Sequence, residues 1–178
     1  MNETIFYAIN SIAGQNYLLD QLFIFLSNWF GYLLLAGLFM YLVFHTDKKK
    51  GVQDLIVVLV AVISTTVIFT VLKEIITSPR PFEVLPSAHV LYTYAGGDSF
   101  PSGHSAFYMA LAAAVFFYHR KLFIVYFLGA LVIGISRIVV GIHWPFDIIG
   151  GWVLGGIVGT IAYRAANDYA NRMKKKIS

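Results

Sequence analysis

A chain of 178 residues is the size of one domain, and 58% of it is hydrophobic against 12% charged; with a mean hydropathy of +0.73, this excludes an ordinary soluble domain and points to an integral membrane protein. The absence of cysteine excludes disulfides and thiolate chemistry. The net charge of +4 does not argue for a nucleic-acid partner, because the basic residues flank apolar runs, where membrane topology and anionic lipid account for them.

In chain order, residues 1–20 carry Ile5, Phe6, Ile9 and Ile12 at near-helical spacing with Asn and Gln between them. That fits an N-terminal interfacial helix, or a frayed terminus. No basic stretch precedes an apolar core, so no cleaved leader is expected. Apolar runs predict about five spans, near 22–44, 52–74, 103–119, 122–141 and 147–166, the third short for a full crossing. Gly151, Gly155 and Gly159 in the fifth span are spaced for close helix approach, against the fourth or second span or across a dimer. The expected architecture is an all-α polytopic transmembrane helix bundle. Residues 1–178 form a single domain, a monomer or weak dimer.

Ten of the thirteen Lys and Arg fall on one side of that bundle: Lys48, Lys49, Lys50, Arg120, Lys121, Arg164, Arg172, Lys174, Lys175 and Lys176. The positive-inside rule makes that side cytoplasmic, with the C-terminus inside and the N-terminus outside. Lys73, Arg80 and Arg137 are the exceptions, and all three fall on the outer side. That side also receives the connection 77–102, too long for a plain loop without a task.

Three clusters meet there. In 73-KEIITSPRP-81, Pro79 and Pro81 end the helix and hold Arg80 in extended chain; a snorkelling lysine and a headgroup-binding arginine would look the same. In 99-SFPSGHSAF-107, Ser102 is a natural N-cap, and the free N–H groups behind it suit an anion. Gly103 would let that anion approach, with His104 beside it, although an ordinary capped helix has the same pattern. In 136-SRIVVGIHWPFD-147, His143 and Asp147 are four residues apart, about one helical turn. A carboxylate on one imidazole nitrogen fixes the tautomer and leaves the other free to attack. A purely structural His–Asp pair is the alternative. Together the clusters offer three cations, a helix N-terminus, two histidines and an aspartate, which is a site for phosphoryl transfer.

These residues resemble the signature of the type-2 phosphatidic acid phosphatase family, which shares its core with vanadium-dependent haloperoxidases. The family pattern is Lys, six residues, Arg-Pro; then Pro-Ser-Gly-His; then Ser-Arg, five residues, His, three residues, Asp. Lys73 to Arg80-Pro81, Pro101-Ser102-Gly103-His104 and Ser136-Arg137 to His143 to Asp147 match it at every position, over residues 73–147. The resemblance implies that His143 is a nucleophile forming a phosphohistidine, that Asp147 orients it, and that His104 is the general acid. It implies Lys73, Arg80, Ser102, Gly103 and Arg137 as phosphate ligands. It also implies that no metal or other cofactor is needed, and the region lacks the carboxylate cluster expected of a magnesium site.

By the same resemblance the substrate is a lipid phosphate or diphosphate in the bilayer: undecaprenyl diphosphate, phosphatidylglycerophosphate or lipid A 1-phosphate. The expected setting is a bacterial plasma membrane with the site facing outward. His89, Tyr92 and Tyr94 in the 82–98 connection could touch the headgroup; the preferred reading makes them interfacial anchors. His45 and His119 fall on the inner side with no expected role. The rival readings are a lipid or ion transporter and a haloperoxidase-like enzyme holding vanadate.

Overall fold

Helices account for all the regular structure of the computed structural model among its described residues, which are 1–44, 47–92, 94, 97–116 and 118–177. They are α1 (Asn2–Asn10), α2 (Tyr17–Asn28), α3 (Phe30–Val43), α4 (Lys48–Ile75), α5 (Pro81–Val84), α6 (Gly103–Phe116), α7 (Arg120–Val139) and α8 (Pro145–Ile177). His45 lies outside the described residues.

The burial pattern is that of a protein in lipid. The outer face of α4 exposes Val52, Ile56, Ile63, Val67 and Val71, while Arg80, Arg137, His143 and Asp147 are buried. Apolar side chains face out because the surroundings are apolar; ionisable ones turn inward because lipid cannot solvate them.

By length and composition α4, α7 and α8 can each cross a membrane, and α2 and α3 qualify as a pair bent by 47°. The expected span 22–44 is therefore two helices, beginning earlier, at Tyr17, where Asn16 caps the N-terminus by accepting from Leu18 N and Leu19 N. The 14 residues of α6 reach about 21 Å, short of the roughly 30 Å of a hydrocarbon core. Its surroundings explain how so short a helix is accommodated. Ser105, Ala106, Met109, Ala110, Leu111, Ala112, Ala114 and Val115 are all buried, so protein, not lipid, encloses α6.

The glycine stripe contributes to that enclosure, with a partner other than the expected one. Gly151, Gly155 and Gly159 face α6, not the second or fourth expected span. A Cβ on Gly151 would stand 2.6 Å from the Ser102 carbonyl and one on Gly159 2.6 Å from that of Ala110, while one on Gly155 would overlap that of Ala106. Only bare backbone lets α8 lie this close.

The N-terminal segment is docked on the bundle and is not frayed. Phe6 is fully buried against Ile138, Trp144 and Ile148. Asn10, 1% exposed, donates to the carbonyls of His89 and Val139, each at 2.8 Å, and accepts from His89 N. It thereby ties the 85–92 segment to the end of α7. The His89 backbone is held there, and the residue is not among those that line the site cavity.

At the opposite end, buried Asp54 on α4 meets His119 Nε2 at 2.9 Å, and Tyr41 OH lies 3.2 Å from His119 Nδ1. His119, given no role by the sequence, cross-links α3, α4 and the start of α7.

Candidate active site

Four helix ends meet at one end of the bundle: the C-termini of α4 and α7 and the N-termini of α6 and α8. Local sequence explains each. Pro79 and Pro81 stop α4 from continuing, and Arg80 N is held by Glu83 Oε2 at 2.7 Å as the short α5 begins. Ser102 caps α6, its Oγ accepting from Ser105 N at 3.4 Å. Gly141 at φ +86° turns the chain out of α7. Pro145 then fills the first position of α8, where no N–H is needed. Trp144 Nε1 donates to the Pro79 carbonyl at 2.8 Å, fastening the Arg80 segment to the His143 turn.

Between these ends lies a cavity of about 460 Å3 whose lining includes Lys73, Arg80, Gly103, His104, Arg137 and His143. Six residues singled out from three separate stretches of sequence thus share one wall. Asp147 stands behind His143, its Oδ2 3.3 Å from Nδ1. The same oxygen accepts from Trp144 N at 2.8 Å and from Ser99 Oγ. With the Nδ1 proton directed at Asp147, Nε2 keeps its lone pair toward the cavity, 3.4 Å from Arg80 Nη1. Burial holds the pKa of His143 down to about 3. The hydrogen bond to Asp147 works the other way and does not overcome it, so burial favours the neutral ring.

Two expected ligands are arranged differently. Ser102 is fully buried and is not part of the cavity lining; its N–H donates to the Asp147 carbonyl at 3.0 Å. Gly103 does line the cavity, but a Cβ there would meet Phe69 at 2.9 Å. A side chain there would have to displace the Phe69 ring, so packing as well as an approaching anion favours glycine.

The three cations rest on neutral acceptors. Lys73 Nζ donates to the carbonyls of Asp98 and Ser99. Arg80 donates through Nε to the Gly97 carbonyl at 2.9 Å and through Nη1 to that of Ile142 at 2.8 Å. Arg137 is 1% exposed, and its Nη1 faces Ser27 O, Ser27 Oγ, Asn28 Oδ1 and Tyr92 OH at 3.2–3.4 Å. Its Nε is buried with no hydrogen-bond partner among the described residues. The described lining carries no carboxylate. Three positive charges in a low-dielectric cavity without a lining anion make a strong field for a dianion.

A model of the PAP2 superfamily matches residues 54–170, and the match contains all three clusters. The chain belongs to the PAP2 superfamily. Among its relatives, the undecaprenyl-diphosphatase BcrC of Bacillus subtilis is 32% identical over 168 residues, which is 92% of this chain and 83% of that one. The bacitracin transport permease protein BcrC of Bacillus licheniformis is 27% identical, over 87% of this chain and 75% of that one. The crystal structure of Aquifex aeolicus LpxE superposes with a TM-score of 0.75 at 29% identity, covering 92% of this chain and 94% of the other.

Some of this PAP2 site was not read from the sequence. Tyr94, expected as an anchor, lines the cavity, with Arg80 Cζ 4.3 Å from its ring centroid and Arg137 Cζ 5.6 Å away. Tyr92 OH donates to Asn28 Oδ1 at 2.9 Å and faces Arg137. Both are therefore working parts of the arginine surroundings, not lipid anchors. Ser99 lay inside a quoted cluster without a role, and it bonds the carboxylate of Asp147. Ser27 and Asn28 left one signal in the sequence: two adjacent polar residues within an apolar run.

Proposed function

We propose that the protein is a membrane lipid phosphatase that hydrolyses a lipid phosphate monoester or diphosphate through a phosphohistidine on His143. The observation that carries this reading is the convergence of Lys73, Arg80, Gly103, His104, Arg137 and His143 on one cavity whose described lining has no anion. In the first half-reaction, His143 Nε2 forms a bond to phosphorus while the bond to the leaving oxygen breaks. His104 gives its proton to that oxygen. In the second, His104 takes a proton from water, whose oxygen attacks phosphorus as the bond to His143 breaks, releasing orthophosphate. Lys73, Arg80, Arg137 and the N–H groups at the start of α6 neutralise the charge on the equatorial oxygens. Ser102 serves from behind, by capping that helix. No step in this scheme calls for a metal.

A lipid substrate fits the rest of the cavity. Leu35, Phe69 and Phe107 line it alongside the polar groups, so the tail can stay among apolar side chains while the head reaches His143. Undecaprenyl diphosphate stands first among the candidates, ahead of phosphatidylglycerophosphate and lipid A 1-phosphate. The Bacillus subtilis relative, matched along most of both chains, carries that diphosphatase name. The test is phosphate release by purified protein across these three lipids, with EDTA present. Release from at least one, unaffected by EDTA, is expected; silence on all three contradicts the reading. The permease name of the Bacillus licheniformis relative favours a second reading, transport. Under it, His143→Ala would still move substrate, and no phosphate would appear.

The proposed topology has five spans: the bent α2–α3 pair, α4, α6, α7 and α8. The site faces outward across a bacterial plasma membrane, and the basic C-terminus lies in the cytoplasm. A monomer or weak dimer is proposed, the described lining residues of the cavity all coming from one chain. Because the chain has no cysteine, labelling is clean. Cysteine at Gly97 should react with an impermeant thiol reagent in intact cells, and cysteine at Lys49 should not; the reverse pattern would put the site inside.

A further inference from the structure

The bend between α2 and α3 lies outside the stretch matched by the family model, residues 54–170, yet it touches the cavity's most buried cation. In an unbroken helix the Ser27 carbonyl would accept from the N–H four residues on. The 47° break at Trp29 leaves it facing Arg137. Ser27 Oγ and Asn28 Oδ1 converge on the same Nη1, and Tyr92 OH joins them, 3.2 Å from Ser27 Oγ and 2.9 Å from Asn28 Oδ1. These four acceptors share Nη1, while the Tyr94 ring lies against the guanidinium with its centroid 5.6 Å from Cζ. Nε is buried with no hydrogen-bond partner among the described residues.

We propose that Ser27, Asn28 and Tyr92 are positioning residues that clamp Arg137 by Nη1, so that its Nε–Nη2 edge meets two oxygens of the phosphoryl group. The inference rests on the phosphatase reading. A guanidinium is planar and rigid, so fixing one nitrogen fixes the direction of the opposite edge. That edge is the fork that matches two oxygens of a tetrahedral anion. An N–H buried without a partner is costly, and it is tolerated where a ligand completes it. The neutrality of the clamp matters equally. A carboxylate in place of Asn28 would hold the arginine just as firmly and would cancel the charge that the phosphate needs.

Asn28→Asp is therefore the informative change, since it keeps the size and the acceptor oxygen and adds only charge. The full-length protein in detergent is assayed for lipid phosphate release, for inhibition by orthophosphate, for orthophosphate binding by calorimetry, and for its melting temperature. The expected result is an orthophosphate Kd and Ki raised about tenfold and kcat/KM lowered by a similar factor, with an unchanged melting temperature. Tyr92→Phe, which removes one hydroxyl, should shift both in the same direction by about threefold, and it serves if Asn28→Asp does not fold. If the wild type turns over and both variants keep orthophosphate affinity and kcat/KM within about twofold, the clamp is overturned. If the wild type releases no phosphate from any lipid, the phosphatase reading fails; orthophosphate calorimetry, which needs no turnover, still decides the clamp.

Discussion

Replacing His143 by alanine or asparagine should lower phosphate release by at least about ten-thousand-fold, because the bond-forming atom is gone. The asparagine variant guards against a trivial explanation. His143 is 2% exposed, so alanine leaves a hole beside Asp147, whereas asparagine fills much of it. The Asp147 carboxylate keeps Trp144 N and Ser99 Oγ in either variant. Full-length folded protein with no turnover is thus the expected outcome, checked by melting temperature and by phosphate release from the same preparation. His104→Ala should cost less, about a hundred- to ten-thousand-fold. Its cost should also shrink for substrates whose leaving oxygen departs without a proton, whereas the His143 loss should not depend on the leaving group. A His143→Asn protein with near-normal activity would remove the nucleophile from the scheme. Equal His104 losses for good and poor leaving groups would remove the acid.

Arg137→Lys should lower kcat/KM by about a hundredfold despite keeping the charge. In the proposed scheme Arg137 serves two groups of partners at once: the Ser27–Asn28–Tyr92 side through Nη1 and the phosphoryl oxygens through its opposite edge. A lysine ammonium is a single point at the end of a flexible chain. It can sit among the neutral acceptors or near the phosphate, and it cannot span both. Steady-state kinetics on the variant decide this. Turnover within about twofold of wild type would mean that charge alone is enough and the fork is not used.

The composition of this site was more legible in the sequence than its construction. Ionisable residues in an apolar chain are conspicuous, and the offsets among Lys73, Arg80, His104, Arg137, His143 and Asp147 carry chemical meaning by themselves. Their convergence on one cavity follows from alternating helix direction, which brings the ends of α4, α6, α7 and α8 together. What holds them was less visible. Carbonyls of Gly97, Asp98 and Ile142 that cradle Arg80 and Lys73 are backbone groups, identical in every residue type. The break at Trp29 has no proline to announce it, and its partner Arg137 lies more than a hundred residues away. Tyr94 was read as an anchor because an aromatic at a membrane edge is common; only the fold shows the two arginines beside its ring. The glycine stripe declared close packing, but its spacing could not say against which helix.

The proposed reaction depends on a phosphorus–nitrogen bond forming at one imidazole. The most direct measurement supplies substrate labelled in its terminal phosphate, stops turnover with denaturant, and maps the label on the chain. The account predicts label on His143, stable to alkali and lost in acid as a phosphoramidate should be, and absent from His143→Asn. Sustained phosphate release with no trapped label, or with label on another residue, would contradict it.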